Sequence, residues 1–138
     1  MATLGPGATK LITGLADANI GRAPVVAIAG QSAFTRIHKA SHPIIDLVSL
    51  FQPISKFAAQ IREPEIVPEI VPETVRQAFK LSQTWKPGAC FTKLPENTAD
   101  MAVNEPPIPV QRAMRSVPPD EKINEAALAI NVALGALP

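Results

Sequence analysis

Residues 23–31 read Ala23-Pro24-Val25-Val26-Ala27-Ile28-Ala29-Gly30-Gln31. The run from Ala23 to Ala29 is continuously apolar and does not alternate. A strand with one wet face would alternate, so this one is buried on both faces, as in a parallel sheet. Gly30-Gln31 ends it and puts Gln31 at a strand's carboxyl end, the edge where open α/β sheets bind ligands. Upstream, Gly5-Pro6-Gly7 is a turn running into a helix over Ala8 to Ile20. Leu11, Ile12, Leu15 and Ala16 share its apolar face, and Gly21 closes it. Downstream, Ile54 to Ile61 reads as a second strand, with its core at Ser55–Ile61. Pro72 to Gln83 reads as a helix with Pro72 at its first position. Lys86-Pro87-Gly88 is a turn, and Ala89 to Leu94 is a third strand. Strand and helix in alternation predict an α/β fold, a partial doubly wound parallel sheet.

Composition narrows the function. The chain has 138 residues, 46% of them apolar and only 4% aromatic, so the core must be built from Ala, Val, Ile and Leu. Thirteen Lys and Arg against twelve Asp and Glu leave a net charge of +1, which excludes a strongly basic nucleic-acid surface. The single cysteine excludes an internal disulfide framework and a multi-cysteine metal knuckle. Cys90 falls in an apolar strand and reads as an inert core thiol. No apolar run approaches the ~20 residues of a membrane span, and no secretory signal opens the chain. A cytoplasmic setting, without a membrane or nucleic-acid partner, is expected.

Fifteen prolines are the oddity. Pro64-Glu-Ile-Val, Pro68-Glu-Ile-Val and Pro72-Glu-Thr-Val repeat with a four-residue period. Proline inside a helix costs ~3 kcal/mol, so Pro64 to Val71 is expected to be an extended or turn-rich connector. It reads either as a proline-rich ligand or as a small tandem duplication in a surface loop. Pro95 to Pro119 reads as an extended linker. Asp120 then caps a terminal helix with apolar Ile123, Ala127, Leu128, Ile130 and Leu134. His38 and His42 could share a helix face, but Asp46 alone offers a third ligand, so no metal site is assigned. Trp85 reads as a cover over a helix end. Gly5-x-Gly7 could cradle a phosphate. It lacks the Lys-Ser/Thr ending of a P-loop, and a plain tight turn explains it as well.

Four blocks together carry a resemblance. Ala2-Thr3-Leu4-Gly5-Pro6-Gly7-Ala8-Thr9-Lys10 running to Ala18, then Ala23 to Gln31, then Phe51-Gln52-Pro53-Ile54-Ser55-Lys56, then Lys86-Pro87-Gly88-Ala89 to Asn97, stand in this order. In that order they resemble the pyrimidine-binding domain of thiamine-diphosphate enzymes of the acetolactate synthase-like family. The His38 to His42 stretch looks most like the FAD-independent, catabolic type. The resemblance implies thiamine diphosphate with Mg²⁺ as cofactors and the decarboxylative condensation of pyruvate as the family's reaction. It implies that residues 1–98 are part of the pyrimidine-binding domain, 99–119 a Pro-rich linker and 120–138 the first helix of a middle domain. It places Pro6, Lys10 and Gln31 around the pyrimidine ring. The family's glutamate that contacts that ring, and its Gly-Asp-Gly metal motif, match nothing in this sequence. No catalytic residue and no metal ligand is therefore assigned. Lys10 stands where the family has asparagine, Pro43 where it has glutamine and Lys93 where it has aspartate. Three functions are carried forward: an enzyme fragment inactive alone, a non-catalytic module docking on an intact paralogous subunit, and a decayed reading frame; the partner expected is that subunit or, in a homo-oligomer, another copy of the chain.

Overall fold

The computed structural model describes residues 1–33, 36, 44–61, 67–102, 106, 108–109 and 117–135, with the backbone alone for 67–70. His38, His42 and Pro43 lie outside the described residues. Three parallel strands, β1 (Val25–Gln31), β2 (Phe57–Gln60) and β3 (Ala89–Pro95), form one sheet in the order β1-β3-β2. All three apolar runs are thus strands of one parallel sheet, as expected. The second begins at Phe57, because Gln52–Ile54 form a 3₁₀ turn beforehand. Ala2 adds an isolated parallel bridge to Ala29 on the outer side of β1. Its N–H donates to the Ile28 carbonyl at 3.0 Å, and its carbonyl accepts from the Gly30 N–H at 3.0 Å.

Helices follow the apolar periodicity. Pro6–Thr9 form a single turn, α1, and Leu11–Ile20 form α2, with Lys10 between them. Leu47–Phe51 form α3, capped by Asp46, whose side chain accepts from the Ser49 N–H. The core cluster joins Ala8, Leu15, Leu47 and Phe51 to Ala27, Ala29, Ala89 and Phe91 of the sheet. The Phe51 and Phe91 rings stack with centroids 4.0 Å apart. These two supply the aromatic area that a core of small aliphatics lacks. By alternation, Val26, Ile28, Cys90 and Thr92 point to the opposite face. There α4 packs, burying Ala78 and Ser82, one helical turn apart. Helices therefore cover both faces, as in a doubly wound sheet.

Two expectations about prolines are corrected. Helix α4 spans Val67–Gln83, so Val67–Val71 is helical, not extended, and Pro72 lies inside the helix instead of starting it. Pro68 falls in the first turn, where a backbone N–H has no intrahelical acceptor to lose. Only Pro72 then forfeits a ladder bond, the one its N–H would have made to the Pro68 carbonyl. Contact with all three strands outweighs that single loss. The segment read as extended from Pro95 also opens with a helical turn, α5 (Glu96–Ala99), which buries Thr98. The terminal helix α6 covers Asp120–Gly135 and is exposed along its whole length. Pro119 caps it, not Asp120: its carbonyl accepts from the N–H groups of Lys122 and Ile123, at 2.9 and 3.2 Å. Asp120 and Glu121 instead occupy the first turn, where the helix dipole favours acids.

Candidate functional site at the carboxyl edge of the sheet

The Ala2–Ala29 bridge aims the N-terminal segment along β1, so the chain leaves Ala2 toward that strand's carboxyl end. Gly5, Pro6 and Gly7 turn there, and α2 starts its run back from the same end. Each part of the turn has a distinct reason. Gly5 has φ 62° and ψ −131°, a conformation that side chains exclude. Its carbonyl accepts from the N–H groups of Ala8 and Thr9, at 3.0 and 3.3 Å. Pro6 is the first helical residue, with φ pre-set and no N–H needing an acceptor. A Cβ on Gly7 would stand 2.5 Å from Thr3 Cγ2, so a side chain there would have to push that methyl aside where the turn folds back on its approach. The Thr9 hydroxyl donates to the Pro6 carbonyl at 2.8 Å, tying the turn to the start of α2.

Gln31 is the last residue of β1 and only 3% exposed, on the face that carries Ala27 and Ala29. Its amide makes no hydrogen bond to the described residues. Pro6, Lys10 and Gln31 therefore stand at one end of the sheet: Pro6 and Lys10 on the exposed turn, Gln31 buried beneath. Lys93 lies on the same face as Gln31, one strand over and two residues short of the strand end, and is 5% exposed. Its positive field reaches Asp46 on α3. The Asp46 carboxyl is held below its ordinary value of 3.8, first by hydrogen bonds from the Ser49 hydroxyl and N–H and further by Lys93. Thr98 adds a buried hydroxyl with no hydrogen-bond partner among the described residues. Among those residues no group of three His, Cys, Asp or Glu could hold a metal.

The amino end of the sheet differs. Lys56 sends its ammonium to the carbonyls of Leu81, Thr84 and Trp85, the last two at 2.7 and 3.1 Å, and so closes the C-terminus of α4. A Cβ on Gly88 would stand 2.6 Å from Asn19 Oδ1 and 3.1 Å from Lys56 Cδ. The Lys-Pro-Gly turn therefore packs against both. Trp85 is 77% exposed and covers no helix end, because the Lys56 ammonium already fills that role. Cys90 is buried as expected, and burial pushes its thiol above the ordinary value despite the nearby Lys56 charge.

A glycine turn beside a buried glutamine at the carboxyl edge matches the blocks in which this chain resembles known enzymes. The family pattern of the thiamine pyrophosphate enzyme, N-terminal TPP binding domain, matches residues 1–50. The chain belongs to the acetolactate synthase-like family of thiamine-diphosphate enzymes. It is 34% identical over 134 residues to the catabolic acetolactate synthase of Raoultella terrigena, covering 96% of this chain and 23% of that one. It is 38% identical over 113 residues to the probable acetolactate synthase large subunit of Methanocaldococcus jannaschii, covering 80% of this chain and 18% of that one. The acetolactate synthase of Bacillus subtilis is 32% identical over 129 residues, 94% of this chain and 22% of its own. The chain thus spans about a fifth of the length of these acetolactate synthases, at 18–23%. No helix among the described residues is long and apolar enough to cross a membrane.

The sequence singles out the turn and Gln31 but assigns no role to Lys56, Gly88 or Thr98. Lys56 and Gly88 lie inside the quoted blocks, and that is the signal available. The acceptors of Lys56 come 25 to 29 residues later in the chain, beyond any local pattern.

Proposed function

We propose that this chain forms the pyrimidine side of a thiamine-diphosphate site and serves acetolactate-type condensation of pyruvate only together with other protein. The observation that supports this is the convergence of the Gly5-Pro6-Gly7 turn and the buried, unpartnered Gln31 on the carboxyl edge of the sheet. The donor set suits the cofactor's neutral ring. A glutamine amide can donate to one pyrimidine nitrogen and accept from the exocyclic amine. The tight glycine turn leaves room for a flat ring to approach the backbone. In the complete site the cofactor supplies a carbanion-stabilising centre, and the residues named here bind and orient its ring. Lys10, exposed at the head of α2, stands on the rim, where a cation assists an anionic substrate more than a neutral ring.

The diphosphate and Mg²⁺ require a different donor set, and the described residues contain no acidic or histidine cluster for it. In this reading those donors belong to the remainder of a longer protein or to an intact paralogous subunit. Binding by the ring contacts alone faces an association cost of ~4–15 kcal/mol. A few hydrogen bonds at ~0.5–1.5 kcal/mol each do not meet it. Calorimetric titration of the chain with thiamine diphosphate and Mg²⁺ is therefore expected to give no measurable heat, and an assay on pyruvate no acetolactate. Amide NMR at millimolar thiamine is expected to shift signals at Gly5 to Lys10 and at Gln31, and Gln31→Leu to abolish those shifts. Micromolar affinity or any product from the chain alone would overturn the division of labour. Shifts confined to other residues would overturn the site.

A further inference from the structure

Lys56 is held less like a surface charge than like a bound ion. Helix α4 ends at Gln83, and the last carbonyls of a helix have no intrahelical donor. The Ser82 carbonyl accepts from the Gly88 N–H at 3.0 Å, which folds the following turn back onto the helix end. The Leu81 carbonyl, with those of Thr84 and Trp85 just past the helix, accepts from the Lys56 ammonium. An ammonium carries three N–H donors and no acceptor, so three carbonyls satisfy it completely. None of the ion pairs among the described residues involves Lys56. Its charge is met instead by carbonyl dipoles at the negative end of α4. Rings of carbonyls bind potassium in the same way, by replacing its hydration shell.

The bowl is shaped by bonds that do not involve the ammonium. Leu81 lies within the last turn of α4, and the Thr84 N–H extends that turn by donating to the Lys80 carbonyl at 3.0 Å. On the other side, the Lys56 N–H donates to the Ala89 carbonyl at 2.8 Å and fixes the root of the side chain on β3. The stem between root and bowl lies against Gly88. A Cβ there would stand 3.1 Å from Lys56 Cδ and 3.3 Å from its Cγ, with Asn19 Oδ1 on the same point at 2.6 Å. The stem thus fills the room that glycine leaves. Stem room and carbonyl bowl together have the shape of a short primary alkylammonium.

We propose that the end of α4 is a receptor for a primary ammonium ion, which Lys56 fills from within the same chain, and that a free alkylammonium or potassium ion binds there once the lysine side chain is withdrawn. Tethering keeps the native occupant at a high effective concentration, so cations in solution do not displace it from the wild-type chain. A quaternary ammonium has the charge but no N–H to donate, so it does not fit. The inference is independent of cofactor binding.

Chemical rescue tests it. Lys56→Ala keeps Cβ and removes the equivalent of n-propylammonium. The full chain is unfolded in urea at one fixed ionic strength, with n-propylammonium, potassium or tetramethylammonium as the chloride. A ligand that binds only the folded chain multiplies the folded-to-unfolded ratio, by ~10-fold near ten times its Kd. For Lys56→Ala, n-propylammonium is expected to raise the ratio most, potassium less and tetramethylammonium not at all. The first two are expected to shift the amide signals of Ser82 to Lys86 and of Gly88. In Lys56→Met the stem is present and only the bowl is open, so potassium is expected to act and n-propylammonium to have no effect. The wild-type chain is expected to ignore all three. If Lys56→Ala is unfolded without ligand, the same series reads the return of helical circular dichroism. A Lys56→Ala chain that answers to none of the cations, or equally to all three, would overturn the proposal. So would an equal response from the wild-type chain, or rescue of Lys56→Met by n-propylammonium.

Discussion

The two ends of β3 are built to different purposes. At its amino end, polar groups are consumed by the fold: the Lys56 ammonium closes α4 through three carbonyls, and Gly88 fits against Asn19 and Lys56. Toward its carboxyl end, Gln31 and Thr98 are buried polar residues. Gln31 is only 3% exposed, and the buried Thr98 hydroxyl has no hydrogen-bond partner among the described residues. Thr92, at the midpoint of β3, carries the other such hydroxyl among the described residues, and none lies at the amino end. An unpaired buried polar group costs ~1–3 kcal/mol. The two ends of this strand of seven residues therefore differ in how their buried polar groups are used.

The largest effect is expected where the two ends are joined. Phe91→Ala removes the ring stacked on Phe51 and leaves a cavity between α3 and the sheet. It is expected to cost ~3–5 kcal/mol in urea unfolding. A loss below ~1 kcal/mol would break the picture of one shared core. Next, Lys56→Met keeps the aliphatic stem but leaves the carbonyls of Leu81, Thr84 and Trp85 without their cation. A loss of about 1–2 kcal/mol is expected, since the ammonium is exposed to water on one side. Amide exchange should rise at the end of α4 first. Gln31→Leu, at the opposite end, is expected to change stability by less than ~1 kcal/mol, because it replaces an unpartnered amide with an apolar group of similar shape. If Gln31→Leu proved the more damaging of these two, the contrast between the ends would be reversed.

The smallest effect is electrostatic. Asp46 has its carboxyl held down in the folded state by Ser49, with help from Lys93. A lowered folded value means that the ionised form is the one the fold favours. Its contribution is present above the ordinary value of 3.8 and fades as pH falls through the folded value. Asp46→Asn is therefore expected to be less stable than wild type at neutral pH, with the gap closing in acid. A gap that stayed constant with pH would assign the loss to the helix cap's shape and not to its charge.

Much of the fold is legible in the residues themselves. The first strand announces itself as an apolar run without alternation, and the Gly30-Gln31 stop is enough to place Gln31 at a strand end. The four quoted blocks carry the family. The start of α4 is not legible, because the interior cost of proline does not apply to Pro68 in the first turn. The need for Gly7 is hidden too: it comes from Thr3, whose methyl group approaches only after the segment bridges to β1. The neighbours of Trp85 suggest a helix end for it to cover, but the cap comes from Lys56 in another part of the chain. At the site, local spacing finds the turn and the glutamine. It does not find Lys93 on the same face, since that pairing depends on register between strands far apart in sequence.

The helical form of Val67–Val71, within the Pro-Glu-Ile-Val repeat, bears on how this chain can vary. Four residues turn a helix by ~400°, so one unit more or less shifts the adjoining chain by ~6 Å along the axis but only ~40° around it. Of all short insertions ahead of the buried Ala78 and Ser82, a four-residue one therefore changes least the direction from which the chain enters α4. The repeat is a length adjuster whose increment nearly preserves rotational phase. Slippage in the coding sequence by whole units would lengthen α4 at its start without turning its packed face off the sheet. Gains of one, two or three residues would instead move the chain that enters α4 by ~100° to ~300° around the helix axis.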